Sequence, residues 1–430
     1  MTKRTLHNYI CALFCCVILT TVQACAGLNS GMIRVGLSRY NRSATRLCIS
    51  ASSSCAISRL DDGSLLAPGA GSFIIESGAS EMTIKPEKGN QVGVKSAIII
   101  KPETPKGILT LSASGIAERK YRGSIEVTVS DGALKVVNVV DVEDYLFGVL
   151  PAEMRDSNPT EALRAQAITA RTYALGCHSR HIAQGFDLCD STHCQTYDGV
   201  IAENPKCRQA VIDTRGMALT YNGQVAEVMY SADCGGATVN YSEIRPGANY
   251  PYLCGAIDPV DIPRITWEQE FAVQDLACKL ATAGIKEAAD LQSVTVTRTG
   301  LSGRPLGIEI AGKSGKVIVT PDKIRMALGL KSTMFVIESG GDGKIVIKGK
   351  GWGHGIGLCQ TGAKWLASAP YNYTCAQILS HYFPGTDITG GKVVASFTKS
   401  DKTAPADVLV KPSPAVRETF NVRLQAPDRL

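Results

Sequence analysis

The chain has 430 residues and a formal charge of +6, from 45 basic and 39 acidic side chains. Hydrophobic residues make up 44% and charged residues 20%, which excludes a wholly disordered chain, and the length favours two to three domains. So mild a positive charge argues against a dedicated nucleic-acid binder, although it suits association with an anionic surface.

The N-terminal segment predicts export from the cytoplasm. Lys3 and Arg4 precede an uncharged, mostly apolar run over residues 9–22, which is too short to span a bilayer and has the length of a signal-peptide core. The Ala-Cys-Ala sequence that follows offers a cleavage site, so residues 1–26 are predicted to be a signal peptide. The four residues ending at Cys25 also resemble a lipobox, which keeps a lipid anchor at Cys25 open. Either alternative places the protein in the cell envelope.

Cysteines are frequent in the exported part of the chain. Of the 15 cysteines, four lie in the leader, which leaves 15 − 4 = 11. An oxidising compartment favours pairing of some of them. Because the number is odd, at least one is free, bound to a metal or paired elsewhere, and spacing alone does not give the connectivity.

Residues 31–140 are predicted to be strand-rich. Residues 33–37 alternate polar and apolar side chains, as a half-buried strand does. Residues 125–129 and 134–140 flank Asp131-Gly132, and Asp-Gly suits the positive φ angles of a two-residue hairpin turn.

Residues 141–387 are predicted to form a mixed core. Asp141 caps a short helix that Pro151 is expected to end. An alanine-rich helix follows over residues 160–177, and its small side chains allow close packing, so we expect it to be central. The fold class is therefore predicted to be α+β, with a smaller inserted region. Residues 388–430 contain prolines without sustained periodicity and are interpreted as an extended or mobile tail.

Two glycine-containing motifs argue against nucleotide cofactors. Residues 307–314 match the spacing of a phosphate-binding loop, but both flanks alternate like strands where that loop needs a helix, so a hairpin turn is predicted. Residues 351–357 place glycine at every second position and lack the last glycine of a dinucleotide motif. They are interpreted as a strand with one bare face, on which His354 is either a core side chain or a ligand contact.

Glu153 is a candidate general acid. It lies among apolar residues between the two predicted helices, and apolar surroundings disfavour a charged carboxylate, which suits a proton donor. A solvated loop carboxylate is the alternative.

A second candidate site is the sequence Cys189-x3-His193-Cys194, with His178 and His181 just upstream. Four ligands of this kind suit tetrahedral zinc. A disulfide that involves Cys189 or Cys194, with a bystander histidine, remains the alternative in an exported protein.

Taken together, these segments resemble the SpoIID/LytB family, the stage II sporulation protein D and amidase-enhancer proteins. The resemblance covers residues 31–387 and consists of many separate motifs in one order. The matching segments are residues 141–154, 161–173, 192–199, 230–238, 251–253, 325–333, 353–363 and 381–385. Two departures are Asn158, where the family usually has tryptophan, and Cys359, where serine is usual. Either could reshape a glycan groove, and Cys359 could add a covalent tie.

The resemblance implies a lytic transglycosylase that acts on the glycan strands of peptidoglycan after amidases have removed the stem peptides. It makes Glu153 the catalytic residue. It also implies a structural zinc ion bound by Cys189, His193 and Cys194, with His181 as the fourth ligand, and no nucleotide or organic cofactor. The glycan-binding candidates, by motif membership, are Gln166, Arg171, Tyr230, Ser231, His354 and Gln360.

Two other functions remain open at this point. Part of the family is described as a non-catalytic enhancer that would bind glycan and stimulate an N-acetylmuramoyl-L-alanine amidase, its partner. A zinc hydrolase ranks last, because a cluster with four protein ligands leaves no open position for water.

Overall fold

The computed structural model describes residues 31–41, 44–87, 89–177, 180–248, 250–341, 343–390 and 421–423. These residues form the mixed α+β fold that the sequence predicts. They divide into a first unit, which ends at Glu227 and also includes the segment from Asp387, and a second unit, Val228–Thr386, to which residues 421–423 also belong. The predicted signal peptide, with Cys25, and most of the predicted tail lie outside the described residues. No helix in the described ranges is long and apolar enough to cross a membrane.

The first unit is built on one large sheet. Its strands before the first helix are β1 (Met32–Gly36), β2 (Arg46–Arg59), β3 (Leu65–Ser77), β4 (Met82–Pro86), β5 (Val92–Val94), β6 (Ile98–Pro102), β7 (Leu109–Ala113), β8 (Ile116–Tyr121), β9 (Ser124–Ser130) and β10 (Ala133–Asp141). With β11 (Leu188–Cys189) at one edge, the order is β11-β1-β10-β9-β6-β2-β3-β4-β5, and β7 pairs with β2 and β8. The Asp131-Gly132 turn joins β9 to β10 with φ angles of 52° and 74°, as predicted.

Three helices follow the sheet in the first unit: α1 (Val142–Glu153), α2 (Thr160–Gly176) and α3 (Pro205–Asp213). The Asp141 side chain caps α1 by accepting the Glu143 N–H at 2.9 Å. The alanine-rich helix α2 is central, as expected, because its alanines at 162, 165, 167, 170 and 174 are completely buried. Three short strands complete the unit: β12 (Ala218–Tyr221) pairs with both β13 (Gln224–Val225) and β22 (Asp387–Thr389).

The expectation that Pro151 ends α1 is wrong. The helix continues through Pro151 to Glu153, and the Met154 N–H still donates to the Leu150 carbonyl at 2.8 Å. Proline removes one helical hydrogen bond, but here it lies in the last turn, so the loss does not stop the helix. Glu153 is therefore the last residue of a helix and does not lie in a loop.

The second unit contains small sheets and short helices. Its helices are α4 (Tyr241–Ile244), α5 (Val273–Thr282), α6 (Pro321–Leu328), α7 (Gln360–Leu366) and α8 (Cys375–Tyr382). Its strands are β14 (Tyr230–Ser231), β15 (Thr266–Ala272), β16 (Leu291–Thr299), β17 (Pro305–Gly312), β18 (Gly315–Val319), β19 (Phe335–Gly341), β20 (Lys344–Lys350), β21 (Leu358–Cys359) and β23 (Asn421–Arg423). They form the sheets β15-β20-β19 and β18-β17-β16-β23 and the parallel pair β14-β21.

One apolar core lies among the two larger sheets of the second unit and the helices α5 and α6. Its buried members include Trp267, Leu276, Ile310, Ile324 and Ile347. The predicted hairpin at residues 312–315 is confirmed, since Gly312 pairs with Gly315 across the turn from β17 to β18. The resemblance of this segment to a phosphate-binding loop is therefore accidental.

The prediction of a strand over residues 351–357 is wrong. Gly351, Gly353, Gly355 and Gly357 all have positive φ, from 69° to 109°, which an extended strand does not use. A Cβ on Gly353 would lie 2.8 Å from the Ser231 Cβ. The alternating glycines therefore allow a backbone with repeated positive φ angles to approach β14 closely.

Candidate active site

Glu153 lies at the C-terminal end of α1, partly buried. Its Oε1 atom accepts a hydrogen bond from the Thr196 backbone N–H at 2.7 Å. Thr196 follows Cys194 by two residues, so the loop of the Cys/His cluster holds the carboxyl group of Glu153. Sequence reasoning missed Thr196 because it acts through its backbone, and no side-chain signal marks that role.

Helices α1 and α2 are joined by a buried ion pair between Glu143 and Arg171. The guanidinium donates from Nε and Nη2 to the two carboxylate oxygens at 2.8 and 2.7 Å, and from Nη1 to the Met217 carbonyl at 3.0 Å. Both side chains are almost completely buried. These contacts indicate a structural ion pair. The hydrogen bonds of Arg171 described here are made to the protein itself, so they do not support its predicted contact with glycan. Glu143 was missed because its partner is adjacent only in the folded chain.

Replacing Arg171 by methionine is expected to lower the free energy of unfolding by about 3–5 kcal/mol, because Glu143 would stay buried without its partner. Arg164→Met is the matched control on the same helix. Arg164 pairs with Asp213 at a half-exposed position, where an ion pair contributes about 0–1 kcal/mol. Urea denaturation measures both variants, and equal losses would contradict a special role for the buried pair.

A second set of contacts connects the cluster loop to the helices. The Tyr145 hydroxyl donates to Gln195 Oε1 at 3.2 Å, and Gln195 Nε2 donates to the Ala170 carbonyl at 3.3 Å. Burial raises the pKa of Tyr145 well above its ordinary value, so the phenol stays neutral and remains a donor. The loop that contacts Glu153 is thus tied to both α1 and α2.

The Cys/His cluster brings four ligand atoms within 4.8 Å of one another, from His181, Cys189, His193 and Cys194. His181 Nε2 lies 3.3 Å from Cys194 Sγ, and His193 Nδ1 lies 3.7 and 3.6 Å from the sulfurs of Cys189 and Cys194. Zinc bonds of about 2.3 Å to sulfur and 2.0–2.1 Å to nitrogen place tetrahedral N and S ligands about 3.6 Å apart. The donor set and its spacing therefore fit zinc. His178 lies outside the described residues.

The surroundings of the cluster also suit a metal site. His181 Nδ1 lies 3.0 Å from Gln184 Oε1, the kind of contact that orients a ligating imidazole. The hydrogen bond from Cys194 lowers the pKa of Cys189, and the same contact raises the pKa of Cys194, so Cys189 is the thiolate of the pair. A thiolate is the form of cysteine that binds metal.

The remaining glycan-binding candidates belong to the second unit, apart from Gln166 on α2. Tyr230 and Ser231 form β14, which pairs in parallel with Leu358 and Cys359 of β21, and Gln360 begins α7 directly afterwards. His354 hydrogen-bonds to the backbone of Tyr230. Four of the six predicted residues are therefore gathered around one short pair of strands.

Three of these candidates carry buried polar atoms without hydrogen-bond partners in the described part of the chain. They are Gln166, at both amide atoms, Ser231, at Oγ, and Gln360, at Nε2. Buried polar groups are almost always satisfied, and an exception calls for a water, a ligand or a functional explanation. These side chains are the ones for which a ligand contact has physical support.

His354 is held as a neutral imidazole. Its Nδ1 accepts the Ile356 N–H at 3.0 Å, which places the ring proton on Nε2. Desolvation, together with the positive charge of Arg325, lowers the pKa of His354 from 6.5 to about 4. A neutral ring with a fixed tautomer has one defined donor.

This depressed pKa predicts a loss of stability in acid. Between pH 6.5 and about 4 the unfolded chain binds a proton at His354 that the folded chain does not, so the free energy of unfolding falls as the pH is lowered through this window, by about 2–3 kcal/mol. Urea denaturation of the wild type and His354→Gln across this range measures the difference. Identical pH dependence of the two proteins would contradict the assignment.

Two domain families and several known proteins are similar to this chain. The family of the stage II sporulation protein, SpoIID, matches residues 130–221, and a domain family of unknown function matches residues 257–357. An uncharacterized protein of Brachyspira hyodysenteriae is 34% identical over 70% of this chain and 79% of its own length. The amidase enhancer of Bacillus subtilis is 28% identical over 74% of this chain and 51% of its own length.

The first of the family matches contains α1, α2 and the Cys/His cluster. Stage II sporulation protein D of Bacillus subtilis is 30% identical over 69% of this chain and 85% of its own length. The SpoIID family match contains three of the motifs that carry the resemblance, residues 141–154, 161–173 and 192–199. The chain therefore belongs to the SpoIID family.

Proposed function

We propose that the protein is a lytic transglycosylase that cleaves the peptide-stripped glycan strands of peptidoglycan, with Glu153 as its single catalytic acid and base. The observation that carries the proposal is the placement of Glu153 at the end of α1, where the Thr196 N–H fixes its carboxyl group at 2.7 Å. The names of the relatives, a stage II sporulation protein and an amidase enhancer, support a role in the cell wall. The predicted signal peptide, or a lipid anchor at Cys25, would deliver the chain there.

The reaction begins with protonated Glu153. It donates its proton to the glycosidic oxygen between N-acetylmuramic acid and N-acetylglucosamine as the bond from that oxygen to the muramic acid C1 breaks. The positive charge that develops at C1 is oxocarbenium-like. Glu153, now a carboxylate, takes the proton of the sugar's own 6-hydroxyl, and that oxygen bonds to C1 and closes a 1,6-anhydro ring. The carboxyl group returns to its protonated form, so one residue serves both steps and water takes no part.

The geometry around Glu153 suits this double role because the reacting carboxyl group must keep one orientation through two proton transfers. The Thr196 N–H supplies that orientation, and the Tyr145–Gln195 contact holds the loop that carries it. Gln166, Ser231 and Gln360 are proposed to hydrogen-bond sugar hydroxyls or N-acetyl groups, since their buried polar atoms have no protein partner in the described ranges.

The Cys/His cluster is proposed to hold a structural zinc ion. His181, Cys189, His193 and Cys194 would be its ligands, and four protein ligands leave no position for a reacting water. When bound, zinc supplies folding stability to the loop rather than chemistry to the substrate. The cluster would thereby keep Thr196 in place against Glu153.

A second candidate function is that of a non-catalytic enhancer that binds glycan and stimulates a cell-wall amidase. The observation that favours it is the 28% identity to the amidase enhancer, of which this chain covers about half. Both functions require glycan binding, but only the first requires Glu153 to transfer protons.

The products of digestion separate these functions. The full chain is incubated with purified, peptide-stripped glycan strands, and the ends of the products are identified by mass spectrometry. Anhydro ends are the expected result. Intact glycan would support the enhancer, and reducing ends would indicate a hydrolase; either outcome would overturn the proposed activity.

A further inference from the structure

A second cluster of reactive side chains lies in the second unit, away from the proposed zinc ligands in the sequence. Cys234 follows β14, and Cys359 ends β21, the strand that pairs with it. Both side chains are completely buried. The two sulfurs and one carboxylate oxygen of Asp233 lie within 4.8 Å of one another, and the Cys234 N–H donates to Cys359 Sγ at 3.2 Å.

We propose that Cys234 and Cys359 are joined by a disulfide in the exported protein. The two cysteines are 125 residues apart in the chain, but the fold brings their sulfurs within 4.8 Å of each other. An oxidising compartment favours pairing of thiols that lie this close in space. The N–H of Gly362 also donates to Cys359 Sγ at 3.2 Å. The two N–H groups therefore fix the position of the Cys359 sulfur beside Cys234.

A metal ion is a poorer occupant of this cluster. The two oxygens of Asp233 already accept backbone N–H groups, from Gly235 and Ile265, each at 2.8 Å. The guanidinium of Arg264 lies 3.8 Å from Asp233 and 2.9 Å from the Asp258 carboxylate. A fixed positive charge at this distance opposes a cation, and only two sulfur ligands would remain.

Asp258 also contacts this pair of cysteines. Its Oδ2 accepts a hydrogen bond from the Cys234 thiol at 3.1 Å, and its Oδ1 accepts one from Tyr382 at 2.6 Å. Burial opposes ionisation of Asp258, but hydrogen bonds from His381 and Tyr382 lower its pKa below the ordinary value. The carboxylate is therefore charged. Cys359, burial and this carboxylate together raise the pKa of the Cys234 thiol, so Cys234 keeps its proton until it reacts.

The oxidation requires an external disulfide, R–S–S–R, such as an oxidised thiol carrier of the export compartment. The Cys359 thiolate attacks one of its sulfurs and expels R–S⁻, which forms a mixed disulfide. Cys234 then attacks the Cys359 sulfur and expels the second R–S⁻, which takes the Cys234 proton and leaves as R–SH. The first R–S⁻ takes the proton that Cys359 lost and becomes the other R–SH. Two cysteine thiols are oxidised and one external disulfide is reduced to two thiols.

Because both sulfurs are completely buried once the unit has folded, the exchange takes place before packing around them is complete. The resulting bond ties the segment after β14 to the start of α7. Ser231 and Gln360 are neighbours of the two cysteines in sequence, so the bond fixes the backbone of two proposed glycan contacts.

Peptide mapping of the wild type tests the inference independently of the proposed activity. The full chain is exported into an oxidising compartment, denatured without reductant, treated with iodoacetamide and digested. We expect a cross-linked pair of peptides that contains Cys234 and Cys359, about 2 Da lighter than the two reduced peptides together. Alkylation of either cysteine, or its linkage to another one, would overturn the inference.

Thermal unfolding gives a second test with its own control. Reductant is expected to lower the Tm of the wild type by roughly 5–15 °C. Cys234→Ser, Cys359→Ser and the double variant should each lose this fall in Tm, and to the same extent. Cys254→Ser and Cys278→Ser, at exposed positions, should keep the full response. Losses that add in the double variant would mean that the two cysteines act independently and would overturn the disulfide.

Discussion

Replacing Glu153 by glutamine is expected to lower the rate of glycan cleavage by about 10²- to 10⁴-fold, the usual contribution of a general acid or base. The amide has nearly the size of the carboxyl group, and its oxygen can still accept the Thr196 N–H. It cannot donate the proton that the leaving oxygen needs. The folded state and glycan affinity should therefore change little, as circular dichroism and a glycan sedimentation assay would measure.

Glu161→Gln is the matched control for this variant. Glu161 lies in the first turn of α2 and pairs with Arg164, so the same chemical change is made one helix away. The control should retain nearly full activity. A Glu153→Gln protein with full activity would contradict the catalytic assignment, whereas an unfolded one would be recognised by its circular dichroism and replaced by Glu153→Asp, which shortens the acid without removing it.

Replacing Cys194 by serine is expected to lower the Tm by about 10 °C or more. Loss of a structural zinc ion removes several kcal/mol of folding free energy, and each kcal/mol shifts the Tm of a domain of this size by about 2–4 °C. Cleavage activity should fall as well, because Thr196 lies two residues from Cys194 and donates to Glu153. Differential scanning fluorimetry and the glycan assay measure the two effects.

Cys278→Ser, at an exposed position outside the cluster, controls for the loss of a thiol and should leave both quantities unchanged. Elemental analysis of wild-type protein purified without added metal should find one zinc ion per chain, and none in the Cys194 variant. A wild type without zinc, together with a mapped disulfide at Cys189 or Cys194, would reject the metal site, since oxidation competes for the same thiolates.

Local patterns predicted the elements whose causes are local. Asp131-Gly132 determines its turn through the positive φ angles that these residues tolerate, and Asp141 caps α1 through its own side chain. The alanines of α2 predicted a central helix because small side chains are needed wherever neighbouring elements approach closely. The Cys189–Cys194 spacing predicted a group of ligand-type side chains, and in the fold a ligand atom of His181 lies within 4.8 Å of theirs.

Features that depend on tertiary contacts could not be predicted in this way. Alternating glycines at 351–357 suggested a strand, but four of them have positive φ angles, and Gly353 lies so close to Ser231 that a side chain there would clash. Arg171 looked like a glycan contact from its motif, whereas in the fold it is buried against Glu143. Nothing in the sequence shows which backbone N–H donates to Glu153, because every residue except proline carries one.

The most direct test of the central claim is digestion of peptide-stripped glycan in water labelled with heavy oxygen, followed by mass spectrometry of the new ends. If the sugar's own 6-hydroxyl attacks C1 while Glu153 takes its proton, the products are 1,6-anhydro sugars without label, and Glu153→Gln forms almost none. Labelled reducing ends would show that water, rather than the sugar's own hydroxyl, attacks C1, and would contradict the proposed mechanism.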